Sequence, residues 1–263
     1  MIQLKNDQQL AQMRSAGHLL YDVLCAAREF IAPGITTMDI NDFVDERIRR
    51  GGGIPTEKGY CGYPASVCAS VDDEVVHGIP SRHVHLQEGS IISLDVTLAL
   101  NGWQADSCFS APVGEISPQK KQLLRVTEEC FWLGAKQALD RNRIGDVSFA
   151  VQQHAEENGY GVVRDLTGHG IGRDMHEDPS VPNFGSPGKG VRIRRGMTFC
   201  IEPMIAMGRW QVHTLADGWT VVTNDHSPAA HYEHTIAVTD GLPEILTFPS
   251  FSWEKIPKGV NFI

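Results

Sequence analysis

A chain of 263 residues with 41% hydrophobic composition is long enough to bury a substantial core, as one large domain or two fused halves. Its formal charge of −9 argues against a broad phosphate-binding surface, the local strip Arg192, Arg194 and Arg195 aside, so direct nucleic-acid specificity is not expected. The N-terminus lacks the apolar core of a signal peptide, and no stretch approaches the roughly 18 apolar residues of a membrane span, so a cytoplasmic protein without a membrane partner is expected.

From Asp7 to Phe30 the apolar residues Leu10, Met13, Ala16, Gly17, Leu20, Val23, Leu24 and Ala27 recur at three- and four-residue steps. That spacing predicts an amphipathic helix, stopped by Pro33-Gly34. Thr37 then caps a second helix with Met38, Ile40, Phe43, Val44 and Ile48 inward, closed by Gly51-Gly52-Gly53. The loop Gly59-Tyr60-Cys61-Gly62-Tyr63-Pro64 leads to a short strand and to Val75-Val76-His77-Gly78-Ile79-Pro80. The stretch Ile91 to Ser107 carries a strong hairpin signal, because Asn101-Gly102 suits a type I′ turn with positive φ at both central residues. Counting outwards, Leu100 faces Trp103, Thr97 faces Asp106 and Asp95 faces Cys108. Asp95, Thr97 and Asp106 therefore share one face, the two carboxylates being diagonal neighbours roughly 7–8 Å apart at the backbone. They are either two solvent-facing strand acids or part of a cation site.

Ser117-Pro118 opens a third helix through Leu123, Leu124, Val126, Cys130, Leu133 and Ala138, and Asp146 starts a fourth that ends near Asn158-Gly159. His169-Gly170-Ile171 then stands where the first half has His77-Gly78-Ile79. Gly196 precedes Glu202 by the same interval at which Gly89 precedes Asp95. This order predicts a single domain over 1–263 made of two pseudo-symmetric repeats, about 5–112 and 115–248, with the Asp95 and Glu202 strands near each other across a pseudo-two-fold axis. The cysteines, Cys25, Cys61, Cys68, Cys108, Cys130 and Cys200, form no Cys-x-x-Cys pair and read as reduced, mostly buried thiols.

Glu202 ends the otherwise apolar run Thr198-Phe199-Cys200-Ile201, where a carboxylate is costly without a partner. In the last strand, His231 to Val238, Glu233, Thr235 and Ala237 share a face; His231 shares it too, as a candidate partner behind a ligand, whereas His234 points away. His169 is flanked by glycines that let its imidazole approach a ligand closely. Two aspartates, two glutamates and a histidine suit Mn²⁺, Fe²⁺, Co²⁺ or Zn²⁺. Two divalent ions neutralise four carboxylates and one does not, so a dinuclear centre is expected, with its ions roughly 3.5–4 Å apart.

The runs Thr167-Gly168-His169-Gly170-Ile171-Gly172, His176-Glu177-Asp178-Pro179, Gly196 to Met204 and Tyr232-Glu233-His234-Thr235 resemble those of the type I methionine aminopeptidases. So do Gly62-Tyr63-Pro64 with Ser66-Val67-Cys68, and Val76-His77-Gly78-Ile79-Pro80, so that the likeness covers nearly the whole chain in order. The resemblance implies an α/β pita-bread (creatinase/aminopeptidase) fold, with inner antiparallel sheet and outer helices. It also implies that Asp95, Asp106, His169, Glu202 and Glu233 ligate two metal ions, Asp106 and Glu233 bridging, while His77 and His176 face the substrate without binding metal. Without the resemblance, His77 is a turn hydrogen-bond donor and His176 an exposed polar residue.

The implied activity is removal of N-terminal methionine from nascent proteins and peptides whose second residue is small, by a hydroxide that the two metals activate. Glu202 would relay the proton, His176 polarise the scissile carbonyl and His77 bond the peptide nitrogen beyond it. Tyr60, Tyr63, Cys68, Met204 and Trp219 are the implied methionine pocket. Two positions depart from the family pattern and bear on pocket width: Met175, where an aromatic residue often precedes the histidine, and Glu57, where a small or sulfur residue is common. Expected partners are nascent N-termini, met at the ribosome by a monomeric enzyme. The competing readings are an X-Pro peptidase, which usually carries an extra N-terminal domain where this chain begins its first helix near Asp7, and a non-catalytic binding protein on the same fold, which would lose ligands that are all present here.

Overall fold

In the computed structural model, which describes residues 1–255, the first helix, α1, spans Asp7–Phe30. A reciprocal cap sets its start: the Asn6 side chain accepts the Gln9 N–H, and the Gln9 side chain accepts the Asn6 N–H. The eight apolar residues at helical spacing are its buried face. Helix α2, Thr37–Arg50, is capped by Thr36 rather than Thr37. Asp39 decides this, because it stands three residues after Thr36, accepts its N–H at 2.8 Å and donates its own N–H to the Thr36 hydroxyl at 3.1 Å. Met38 and Phe43 are half-buried rather than core, Phe43 stacking on Phe30 with ring centroids 4.4 Å apart.

Helix α3, Pro118–Lys136, has the expected Ser117 cap and stops before Ala138, which is buried beyond its end. Helix α4, Ile144–Glu157, begins two residues before Asp146, whose carboxylate accepts the Arg143 N–H at 2.7 Å from inside the first turn.

The main sheet runs Ile54–Pro55, Ile91–Leu100, Trp103–Pro112, Glu233–Ala237, Thr198–Ile201, Thr167–Gly170, Glu177–Pro182, with Cys68–Val71 and Glu244–Ile245 paired at its side. Every pairing is antiparallel. The hairpin forms in the register counted from Asn101-Gly102, whose φ angles are 53° and 74°. Ile92, Leu94, Val96 and Leu98 pack into one core with Leu20 and Leu24 of α1, Ile40 and Val44 of α2, Leu123 of α3 and Val147 of α4. Strand alternation then turns Asp95 and Thr97 to the opposite face, away from the helices.

The expected last strand is broken: Ala229–His231 and Glu233–Ala237 join different sheets, with Tyr232 between them. The strands bearing Asp95 and preceding Glu202 are not neighbours, because Trp103–Pro112 and Glu233–Ala237 pair between them. Among the described residues all six cysteines are free, and no helix is long and apolar enough to cross a membrane.

A buried ion pair ties the N-terminal arm to the turn before the Glu177–Pro182 strand. Lys5 Nζ donates to Glu177, with side chains only 3% and 8% exposed, and Glu177 also accepts the Arg173 N–H at 2.9 Å. Lys5→Met strands a buried carboxylate, and an urea titration is expected to show a loss of about 3–5 kcal/mol. A loss below about 1 kcal/mol, the scale of an exposed pair, would mean that the pair is not a structural tie.

Candidate metal centre

Sheet register builds the site in rows. Cys68 pairs with Asp95, Asp95 with Cys108, and Cys108 with Glu233, which brings two acids from distant segments onto one face. In the adjacent row Thr97 pairs with Asp106, and Thr235 with Cys200. Thr235 locks the junction of the two halves: its hydroxyl accepts the Asp106 N–H at 3.1 Å and donates to the Asp106 carbonyl at 2.9 Å. The Ser107 hydroxyl reaches the Glu233 carbonyl at 2.7 Å, and the Asn183 amide donates to the Glu202 carbonyl at 2.8 Å.

His169 enters from the Thr167–Gly170 strand. A Cβ at Gly168 or at Gly170 would collide with the carbonyl oxygens of Cys200 and Asp178, so glycine on both sides lets the strand lie close enough to deliver the ring. Its Nδ1 lies 3.0 Å from the Gly170 carbonyl, and its Nε2 lies 3.6 Å from Asp106 Oδ2 and 3.7 Å from Glu202 Oε1. Nδ1–H donation to the carbonyl leaves Nε2 free as a ligand atom in the neutral ring.

These side chains open into a cavity of about 220 Å³ lined by Asp95, Asp106, His169, Glu202 and Glu233, together with His77, His176 and His231. It is smaller than the roughly 300–1,000 Å³ of drug-sized pockets. Tyr60, Tyr63, Met204 and Trp219 line it as well. Tyr63 packs edge-on against Trp219, with centroids 5.1 Å apart, and its hydroxyl lies 2.9 Å from the Gly78 carbonyl. Cys68 does not line the cavity: it is buried behind Glu57, its sulfur 3.9 Å from Glu57 Oε2.

His176 stands at the mouth, its Nδ1 2.7 Å from the Tyr60 hydroxyl and its ring 4.1 Å from that of His169. Burial and then the neighbouring His169 charge hold its pKa below the usual histidine range. His77 has φ 59°, a left-handed conformation uncommon for a side-chain-bearing residue, and its ring meets Trp219 edge-on at 6.1 Å. Glu57, read from the sequence as bearing on pocket width, lines the cavity, whereas the sequence reading missed Val76, Leu166 and Thr167. Nothing periodic marks them, since each reaches the cavity through a loop or strand end.

Without a cation the centre is electrostatically frustrated. Burial, then the Asp106 charge, push the carboxyl groups of Asp95, Glu233 and Glu57 upward. Burial also raises Glu202, while His169 is raised to about 9 because hydrogen bonding to Asp106 and the charges of Glu202 and Asp106 outweigh the opposing effect of burial. Asp95 Oδ1, Asp106 Oδ1, Glu233 Oε1 and both ring nitrogens of His231 are buried without a hydrogen-bond partner. Among the described residues no lysine or arginine lines the cavity. Donor atoms of Asp106, His169, Cys200 and Glu233 lie within 4.8 Å of one another, as do those of Glu57, Cys68 and Asp95. Convergent, unpaired oxygen donors of this kind fit divalent cations.

Residues 11–240 match the model of metallopeptidase family M24. The chain belongs to family M24. It is 47% identical over 247 residues to the methionine aminopeptidase of Clostridium acetobutylicum, covering 94% of this chain and 99% of that protein. It is also similar to the crystal structure of a methionine aminopeptidase from Thermotoga maritima, with a TM-score of 0.92 at 42% identity over 94% of this chain and 99% of that one. Prolidase from Pyrococcus furiosus, at 16% identity and a TM-score of 0.74 over 93% of this chain and 65% of that one, shares the fold alone. The M24 chain thus has the pita-bread fold and the divalent-metal use of its family.

Proposed function

We infer that this M24 metallopeptidase is a methionyl aminopeptidase, acting on nascent proteins and peptides whose second residue is small. The observation that carries the reading is a set of convergent carboxylates, three with an unpaired buried oxygen, and one imidazole lining the same cavity as Tyr60, Tyr63, Met204 and Trp219. Its similarity to methionine aminopeptidases supports the same conclusion. In this reading the chain is one domain of two pseudo-symmetric halves, works as a cytoplasmic monomer and meets its substrates at the ribosome.

Asp95, Asp106, His169, Glu202 and Glu233 are the residues that would hold the divalent ions. When bound, the ions acidify a water for attack and anchor the substrate's free amino group. Glu202, at the cavity wall, accepts the water's proton and passes it towards the leaving amine. A neutral His176 whose Nδ1 accepts the Tyr60 hydroxyl carries its proton on Nε2, the correct tautomer for donating to the scissile carbonyl oxygen. His77 bonds the peptide nitrogen beyond it. The aromatic rings of Tyr60, Tyr63 and Trp219 with Met204 receive the thioether.

Met-Ala-Ser, Met-Lys-Ser and Ala-Pro-Ser peptides, incubated with protein reconstituted with each candidate metal and read by mass spectrometry, test this. Met-Ala-Ser is expected to be cleaved first and Met-Lys-Ser poorly, because a bulky second residue displaces the carbonyl, and about 1 Å of misplacement can cost around 10²-fold. Preferential cleavage of Ala-Pro-Ser would move the enzyme to the X-Pro class.

A further inference from the structure

Glu57 is a fifth carboxylate at the centre, and its position is built rather than incidental. The Thr56 N–H donates to the Thr97 carbonyl at 3.1 Å, which pins the next residue above the strand carrying Asp95 and Thr97. The Thr97 hydroxyl then donates to Glu57 Oε1 at 2.8 Å, leaving Oε2 beside the Cys68 thiol. Cys68 is the direct cross-strand neighbour of Asp95. The outcome is one of the two donor groups described above, Glu57, Cys68 and Asp95, with donor atoms within 4.8 Å of one another. The other group contains Asp106, His169 and Glu233. One oxygen of Asp95 is buried with no hydrogen-bond partner.

We propose that Glu57 is a further ligand of the divalent ion at the Asp95 end of the centre, held in place by the Thr97 hydroxyl. This rests on the dinuclear reading of the site and adds to it a donor from outside the five ligands. The two ends then differ in chemistry. His169 gives one end an imidazole, whereas Glu57 makes the Asp95 end rich in carboxylate oxygen, which suits a hard ion such as Mn²⁺.

The test is calorimetric titration of the chelator-stripped full-length protein with Mn²⁺, which reads binding without activity. Wild type is expected to take up two ions. Glu57→Gln should keep one ion at wild-type affinity, which also reports that the variant is folded, and bind the other about 10–100-fold less well. Glu57→Asp, which keeps the charge and shortens the reach, should weaken the same ion, and Thr97→Val should do so by less. Wild-type affinity for both ions in Glu57→Gln overturns the proposal while leaving the metallopeptidase reading intact. The same result with a raised KM would move Glu57 to the substrate's ammonium group. Wild-type protein that binds no divalent ion overturns both.

Discussion

Asp106→Ala and Glu233→Ala are each expected to abolish peptidase activity and to leave less than the wild-type complement of metal after gel filtration. Even an outer partner of a metal ligand is worth about 10–100-fold in affinity or activity, and on the proposed reading both carboxylates are ligands themselves. Asp106 lies 3.6 Å from His169 Nε2 and is a source of the repulsion that raises Asp95, Glu233 and Glu57. Removing it from the metal-free protein therefore relieves like-charge repulsion. The Asp106→Ala variant should lose the stabilisation that added metal gives wild type through mass action. Near-wild-type turnover with full metal content in either variant would defeat the ligand assignment. A collapse of the metal-free Asp106→Ala variant would show instead that the carboxylate is needed for folding.

His176→Ala should keep its metals and lose roughly 10²-fold or more in turnover, the scale for removing one transition-state hydrogen bond. Its ring packs 4.1 Å from that of His169, so metal content must be measured on the same sample. Loss of metal would make His176 a ligand and extend the donor set. Tyr60→Phe tests the same group indirectly. The Tyr60 hydroxyl, 2.7 Å from His176 Nδ1, orients the ring and fixes its tautomer, so the phenylalanine variant should lower kcat less than His176→Ala and in the same direction. Burial raises the Tyr60 phenol, which keeps it protonated as a donor. A variant with unchanged kcat would show that His176 needs no such orientation.

The parts of this molecule that were legible in its sequence are those whose information is local. Asn101-Gly102 dictates a turn of one type, and with period-two alternation that turn places Asp95, Thr97 and Asp106 on one face without reference to any other segment. Helix α1 was read to its ends because eight apolar residues at helical spacing must share a face. The α2 cap is local too, but reading it at Thr37 overlooks Asp39, the carboxylate three residues after Thr36 that makes Thr36 the cap.

What only the tertiary structure decided depends on contacts between segments far apart in the chain. No local pattern reports that Glu57 turns inward, because the backbone bond from Thr56 to Thr97 and the Thr97 hydroxyl set its direction. With Glu57 on the cavity wall, Cys68 lies beside Glu57 and not on that wall, although the family resemblance implied a pocket residue there. Tyr60 meets His176, and Lys5 meets Glu177, only after the two halves have docked. Alternation and turn chemistry cost the chain no long-range loop closure and therefore act at every stage, whereas these contacts are specified by the packing that brings their segments together.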